Sequence, residues 1–145
     1  MSKLRGVLDT NVVLSAHRSR NPRSAGNQLL DLCRHAWTAL YSRDVLGEYV
    51  EKLLELGMEA ADVENFISDL TACAEEVKIE FFHLRHYPVD QDDTAFLLCA
   101  CNGTASHLAT YDHHLLDLAP HYAGEFSICK PRALLEAVLT VPVPE

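Results

Sequence analysis

Positive charge is scarce in this chain. Twelve Lys and Arg stand against 21 Asp and Glu, a formal net charge of -9. A surface basic throughout, as a general nucleic-acid clamp requires, is thereby excluded. Long apolar runs are also missing, so no segment reaches the ~20 residues of a bilayer-spanning helix. The five cysteines (Cys33, Cys73, Cys99, Cys101, Cys129) include no Cys-x-x-Cys pair. That argues against a structural zinc site, and their odd number argues against a disulfide framework. They read as reduced, mostly buried thiols of a cytoplasmic protein. There is no internal repeat, no low-complexity stretch and no linker. Nothing like a signal peptide precedes the strand-like stretch that begins at Leu4.

What remains is globular: 145 residues, 48% hydrophobic and 23% charged. That suits one core, with residues 1–140 as a single domain and residues 141–145 as a short extended tail. Apolar periodicity predicts strands at Leu4–Leu8, Trp37–Tyr41, Val77–Phe82, His107–Thr110 and Phe126–Cys129. It predicts helices at Pro22–His35, Arg43–Leu56, Glu59–Glu75 and Asp92–Cys101, with a last helix after Pro131. The segment His17 to Arg23 reads as a loop. Strands alternating with helices imply an α/β fold with a mostly parallel sheet. Such sheets bind ligands beyond the carboxyl ends of their strands.

Acids gather at that rim. Asp9 follows the first strand, where a carboxylate is costly unless solvated, capped or paired. Its bland role is a helix cap, bonding free amides at Val12 or Val13. Asn11 could orient a carboxylate or touch a phosphate. Asp90, Asp92 and Asp93 open a helix, more acid than the helix dipole alone explains. Asp112 lies between a strand and a helix, and the adjacent His113 and His114 read as surface residues. Glu48 falls on the polar side of its helix by periodicity, beside Glu51. An acidic protein can still act on phosphates if its carboxylates hold a divalent cation. Arg18, Arg20 and Arg23, soon after Asp9, are candidates for a local phosphate grip, with Lys130 and Arg132 as weaker ones.

Taken in order, these segments resemble the PIN-domain ribonucleases, and more narrowly the VapC-like toxin components of bacterial toxin–antitoxin pairs. Val7-Leu8-Asp9-Thr10-Asn11-Val12 is similar to the first motif of that family. Ser42 to Tyr49, with its Glu48-Tyr49 pair, resembles the second. Asp90 to Phe96 resembles the acidic opening of the penultimate helix, and Ala109-Thr110-Tyr111-Asp112 the fourth motif. Ile128 to Leu135 resembles the closing strand-turn-helix. Two departures stand out: Thr94-Ala95 replaces an acid–base pair, and Tyr111 replaces a small residue.

The resemblance implies a three-layer α/β/α sandwich, flavodoxin-like, with a five-stranded sheet in the order 3-2-1-4-5. It implies that Asp9, Glu48, Asp93 and Asp112 are catalytic and hold Mg²⁺ or Mn²⁺, with Asp92 in reserve for Asp93. Oxygen-only ligands favour those ions over zinc. Asn11, Ser42, Thr110, Arg18, Arg20 and Arg23 would contact substrate. The implied reaction is hydrolysis of RNA, leaving 5′-phosphate and 3′-hydroxyl ends. The implied partners are the RNA substrate, an antitoxin protein and a second copy, met through the helix carrying Val63, Phe66, Ile67 and Leu70. Two other readings compete. One is an inactive domain that binds RNA or protein. The other is an aspartyl-nucleophile phosphatase, which wants a second aspartate where Asn11 stands.

Overall fold

The computed structural model describes residues 3–140, so the tail expected over 141–145 lies outside the described residues. Strands β1 (Leu4–Leu8), β2 (Trp37–Tyr41), β3 (Glu75–Glu76), β4 (His107–Ala109) and β5 (Ser127–Cys129) form one sheet in the order β3-β2-β1-β4-β5. Every pairing is parallel. This is the topology that the family resemblance implies. In central β1 the consecutive residues Gly6, Val7 and Leu8 are all buried, so both faces of the sheet are covered. Around it lie α1 (Thr10–Arg18), α2 (Ala25–Leu32), α3 (Arg43–Glu55), α4 (Ala60–Cys73), α5 (Thr94–Asn102), α6 (His113–Leu116), α7 (Ala119–Tyr122) and α8 (Pro131–Thr140). The core joins Val7, Leu8, Trp37, Leu53, Phe96, Leu97, Leu108 and Leu134 in one cluster. Among the described residues no helix is long and apolar enough to cross a membrane.

Local chemistry explains most element ends. Ser24 and Ser42 cap α2 and α3, their hydroxyls accepting from the amides of Asn27 and Val45. Ser24 therefore starts α2 later than Pro22 suggests. Gly57, at φ +101°, reverses the chain between α3 and α4. Gly103 closes α5 where no side chain fits: a Cβ there would lie 2.8 Å from Val77 Cγ2 and 2.9 Å from the Cys99 carbonyl.

Two expectations are corrected. The strand expected over Val77–Phe82 is instead a two-residue pairing at Glu75–Glu76, against Leu40 and Tyr41. Beyond it, the Asn102 side chain accepts from the amides of Glu80 and Phe81 and donates to the Phe81 carbonyl. A side chain thus satisfies backbone that a sheet would otherwise pair. The second correction is α1: Thr10 to Arg18 is a helix burying Val12, Val13 and Ala16, so it takes in His17 and Arg18, which were expected in a loop.

Candidate active site

The sheet brings Asp9 and Asp112 to one rim. Leu8 of β1 pairs with Ala109 of β4, and the Asp9 amide donates to the Ala109 carbonyl at 2.9 Å. Asp9 is 5% exposed. Its carboxylate does not reach the amides of Val12 or Val13, which bond to its backbone carbonyl instead. One oxygen accepts from the Thr10 amide at 2.8 Å, the other from Thr110 Oγ1 at 2.7 Å. The same Thr110 oxygen accepts from the Asp112 amide at 2.9 Å. Thr110, fully buried, therefore spaces the two aspartates; it has no surface for substrate.

Asp93 completes the group. It ends a 3-10 turn, Gln91–Asp93, that leads into α5, and it is 7% exposed while Asp92 is exposed. Burial, the nearby charge of Asp9 and a carboxyl–carboxyl contact with Asp112 push its pKa up to about 8. Burial also raises Asp9, against the lowering effect of its bonds from Thr110 and Thr10. Two buried side-chain oxygens of the described residues have no hydrogen-bond partner: Asp93 Oδ2 and Thr10 Oγ1. Both belong to this rim.

Glu48 is half-buried on α3. Burial raises its pKa, Lys52 lowers it, and the charges of Asp92, Glu51 and Asp9 raise it. The polar side of the first turns of α3 thus faces the acids. Tyr49 explains why. Its ring is buried in the core and its hydroxyl donates to the Leu8 carbonyl, directly before Asp9. That bond pins α3 across the end of β1. The signal in the sequence is a tyrosine within an otherwise aliphatic stripe. Asp90 is the other residue that periodicity undervalued: it caps the Asp92 amide at 3.0 Å, and its charge reaches Asp9 and Asp93.

Other expected contacts land elsewhere. Ser42 is 1% exposed, its hydroxyl spent on capping α3, so it cannot meet substrate. Asn11 accepts from the Tyr111 amide at 3.2 Å, holding the loop that carries Asp112. Arg18 closes α1, nine residues or about 13 Å of helix away from Asp9, and Arg20 and Arg23 follow it in the turn before α2. His113 and His114 are exposed, with ring centroids 4.1 Å apart.

The arrangement fits a hard divalent cation. Its donors are all oxygen, two of its carboxyls are buried with raised pKa, and one buried oxygen lacks any partner. As the side chains stand, no three His, Cys, Asp or Glu among the described residues form a ready cage. Mutually repelling carboxylates have no reason to converge without a positive charge between them. The profile of a known family, described as the PIN domain, matches residues 5–114. The chain belongs to the PIN-domain family. The match runs from β1 through Asp112 and includes Asp9, Glu48 and Asp93. PIN domains are in general nucleases, that is, hydrolases. No curated protein matches the chain.

Proposed function

We propose that this PIN domain is a Mg²⁺- or Mn²⁺-dependent endoribonuclease, and that it serves as the toxin of a bacterial toxin–antitoxin pair. The observation that carries the nuclease reading is the orphaned, buried Asp93 oxygen beside Asp9 and Asp112. Asp9 and Asp93 would hold the cation most directly, with Glu48 and Asp112 completing its shell. When bound, such a cation supplies positive charge to the attacked phosphate and acidifies water enough to attack at neutral pH. The residues of the chain do the positioning. Thr110 fixes one Asp9 oxygen and the Asp112 amide together. Tyr49 fixes α3, and with it Glu48, against the end of β1. Asn11 ties down the Tyr111 backbone next to Asp112.

The toxin role rests on the resemblance of the whole motif order to VapC-like toxins. An antitoxin would then cover the acidic rim, and a second copy would meet the chain at α4. Val63 and Leu70 are buried in the core of their own chain, so the half-buried Phe66 and Ile67 are what α4 offers a partner. Sedimentation at tens of micromolar tests the dimer; monomer alone refutes it. The test of the nuclease is degradation of RNA by the purified chain with Mn²⁺ or Mg²⁺, with EDTA, and with an Asp9→Asn variant. Cleavage only by wild type with metal supports the reading. No cleavage under any condition favours the inactive, binding-only domain.

A further inference from the structure

The chemistry at the rim uses no thiol, yet two of the five cysteines meet. Cys33 and Cys73 are 40 residues apart in sequence, and their sulfurs lie 3.4 Å apart. Among the described residues no other two sulfurs are in contact. Cys33 stands at the C-terminal cap of α2, and Cys73 is the last residue of α4. Both therefore sit at helix ends, where the backbone yields more readily than in a helix interior. A disulfide holds its sulfurs at about 2.05 Å, so this pair has about 1.4 Å to close. The other three thiols have different company. Cys99 is fully buried in the core, Cys101 faces a Glu125 oxygen at 3.7 Å, and Cys129 ends β5.

The two thiols of the pair differ in access. Cys33 is 2% exposed, and burial pushes its thiol up to about 12. Cys73 is half-buried and lines an open cleft of about 470 Å³ between α2 and α4. One sulfur thus meets reagents while the other stands behind it. Thiol–disulfide exchange in two steps needs that order, an accessible attacker backed by a shielded second thiol. The cleft has a polar lining. Arg34 and Asn27 offer donors to a carboxylate, and Asp31 and Asp69 offer acceptors to an ammonium, which matches a zwitterionic peptide thiol.

We propose that Cys33 and Cys73 form a reversible disulfide by exchange with a small-molecule disulfide that enters this cleft, and that the bond locks α4 onto α2. The Cys73 thiolate, its proton lost to water, attacks one sulfur of the reagent RS–SR and expels RS⁻, leaving a mixed disulfide on Cys73. The Cys33 sulfur gives up its own proton, attacks Cys73 Sγ and expels the second RS⁻. The two thiolates released take up the two protons. Two protein thiols are oxidised, and one reagent disulfide is reduced to two thiols. The bond closes a ring over residues 33–73 that holds β2, α3 and α4, and with them Glu48 and Tyr49. A cross-link over that length restricts the unfolded chain and favours folding by on the order of several hundredfold. None of this depends on the nuclease reading.

The test takes the full chain, reduced and then incubated with oxidised glutathione, and reads intact mass, peptide maps and thermal unfolding. Wild type should lose the mass of two hydrogen atoms, with the link mapped to Cys33 and Cys73. Its melting temperature should rise by roughly 10 °C, and dithiothreitol should reverse both changes. Cys33→Ala should stop at one glutathione carried on Cys73. Cys73→Ser should take up none at the shielded Cys33 and gain no stability. Cys101→Ser/Cys129→Ser should behave as wild type. Cys33 belongs to the core, so if Cys33→Ala does not fold, the half-buried Cys73→Ser decides alone. Wild type that forms no link, links other cysteines or retains glutathione on Cys73 overturns the proposal. So does a Cys73→Ser protein that oxidises as wild type does, or a link that leaves the melting temperature unchanged or lowers it.

Discussion

Asp93→Asn should make the metal-free protein more stable, although it replaces a buried side chain in the middle of the acidic rim. The Asp93 carboxyl has its pKa pushed from the ordinary 3.8 to about 8 by burial and by Asp9 and Asp112. A carboxyl that binds its proton more tightly when folded opposes folding wherever the unfolded chain has lost that proton. Wild type without metal therefore loses stability as pH rises from about 4, and the loss is complete above about 8. At pH 7 that shift sets an upper bound of about 4 kcal/mol, which solvent screening and the shared charge of Asp9 and Asp112 reduce. An asparagine removes the charge but leaves an amide to be satisfied, at about 1–3 kcal/mol. A net gain of at most about 2 kcal/mol follows, or up to roughly 4–8 °C in melting temperature for a chain of this size. The assay is thermal and urea unfolding in EDTA from pH 4.5 to 8.5. Wild type should decline across that range and the variant should run flatter, crossing above it before neutrality. Mn²⁺ should reverse the order. A ligand at a hundred times its Kd adds about 2.7 kcal/mol to the form that binds it, and the variant has lost a ligand. Parallel pH profiles for the two proteins in EDTA would refute the reasoning, because Asp93 would then carry no unusual burden.

Other outcomes follow from the same geometry. Glu48→Gln should reduce Mn²⁺ affinity and RNA cleavage at least tenfold with the fold intact, whereas Glu51→Gln, exposed one turn along, should leave both within twofold; equal rates for Glu48→Gln and wild type at limiting Mn²⁺ leave a three-aspartate site. Thr110→Val removes the donor to Asp9 and the acceptor of the Asp112 amide, and should destabilise the chain by about 1–3 kcal/mol and cut cleavage, as read by urea melts and initial rates. Because Asp93 holds a proton near neutrality, Mn²⁺ binding should release protons and tighten as pH rises from 6 to 8, visible as buffer-dependent heats in calorimetry. Tyr49→Phe should lower stability by about 1 kcal/mol in urea melts and lower cleavage further than that loss explains, since it frees α3 from the end of β1.

Most elements were legible because their signals are strong: apolar strands bounded by caps, and helices with clear stripes; the sheet order came from the family resemblance. The acids were legible as residues, since each follows a strand or opens a helix. Their mutual placement was not. The helical wheel put Glu48 on the solvent side, and nothing local says that a tyrosine bond to Leu8 turns that side toward Asp9. Asp92 and Asp93 differ by one position, and only packing shows which is buried. The placement of the basic residues was hidden for a related reason. Arg18 is close to Asp9 in sequence, but a helix separates them, whereas Lys130 is distant in sequence and one residue from the strand end bonded to Thr110. Parallel pairing joins what the chain keeps apart, and its partners cannot be read from spacing. The strand expected over Val77–Phe82 failed because Asn102, some twenty residues on, takes its backbone bonds.

The claim on which the rest depends is that the rim above β1 and β4 holds a divalent cation. Crystals of the wild-type protein soaked in millimolar Mn²⁺, with anomalous scattering recorded near the manganese edge, test it most directly. The account predicts an anomalous peak within about 2.0–2.3 Å of carboxylate oxygens of Asp9 and Asp93, with Glu48 or Asp112 directly or through water. It predicts loss of that peak in Asp93→Asn crystals. A rim without a peak in wild-type crystals, or a manganese bound elsewhere while the rim stays clear, would contradict it.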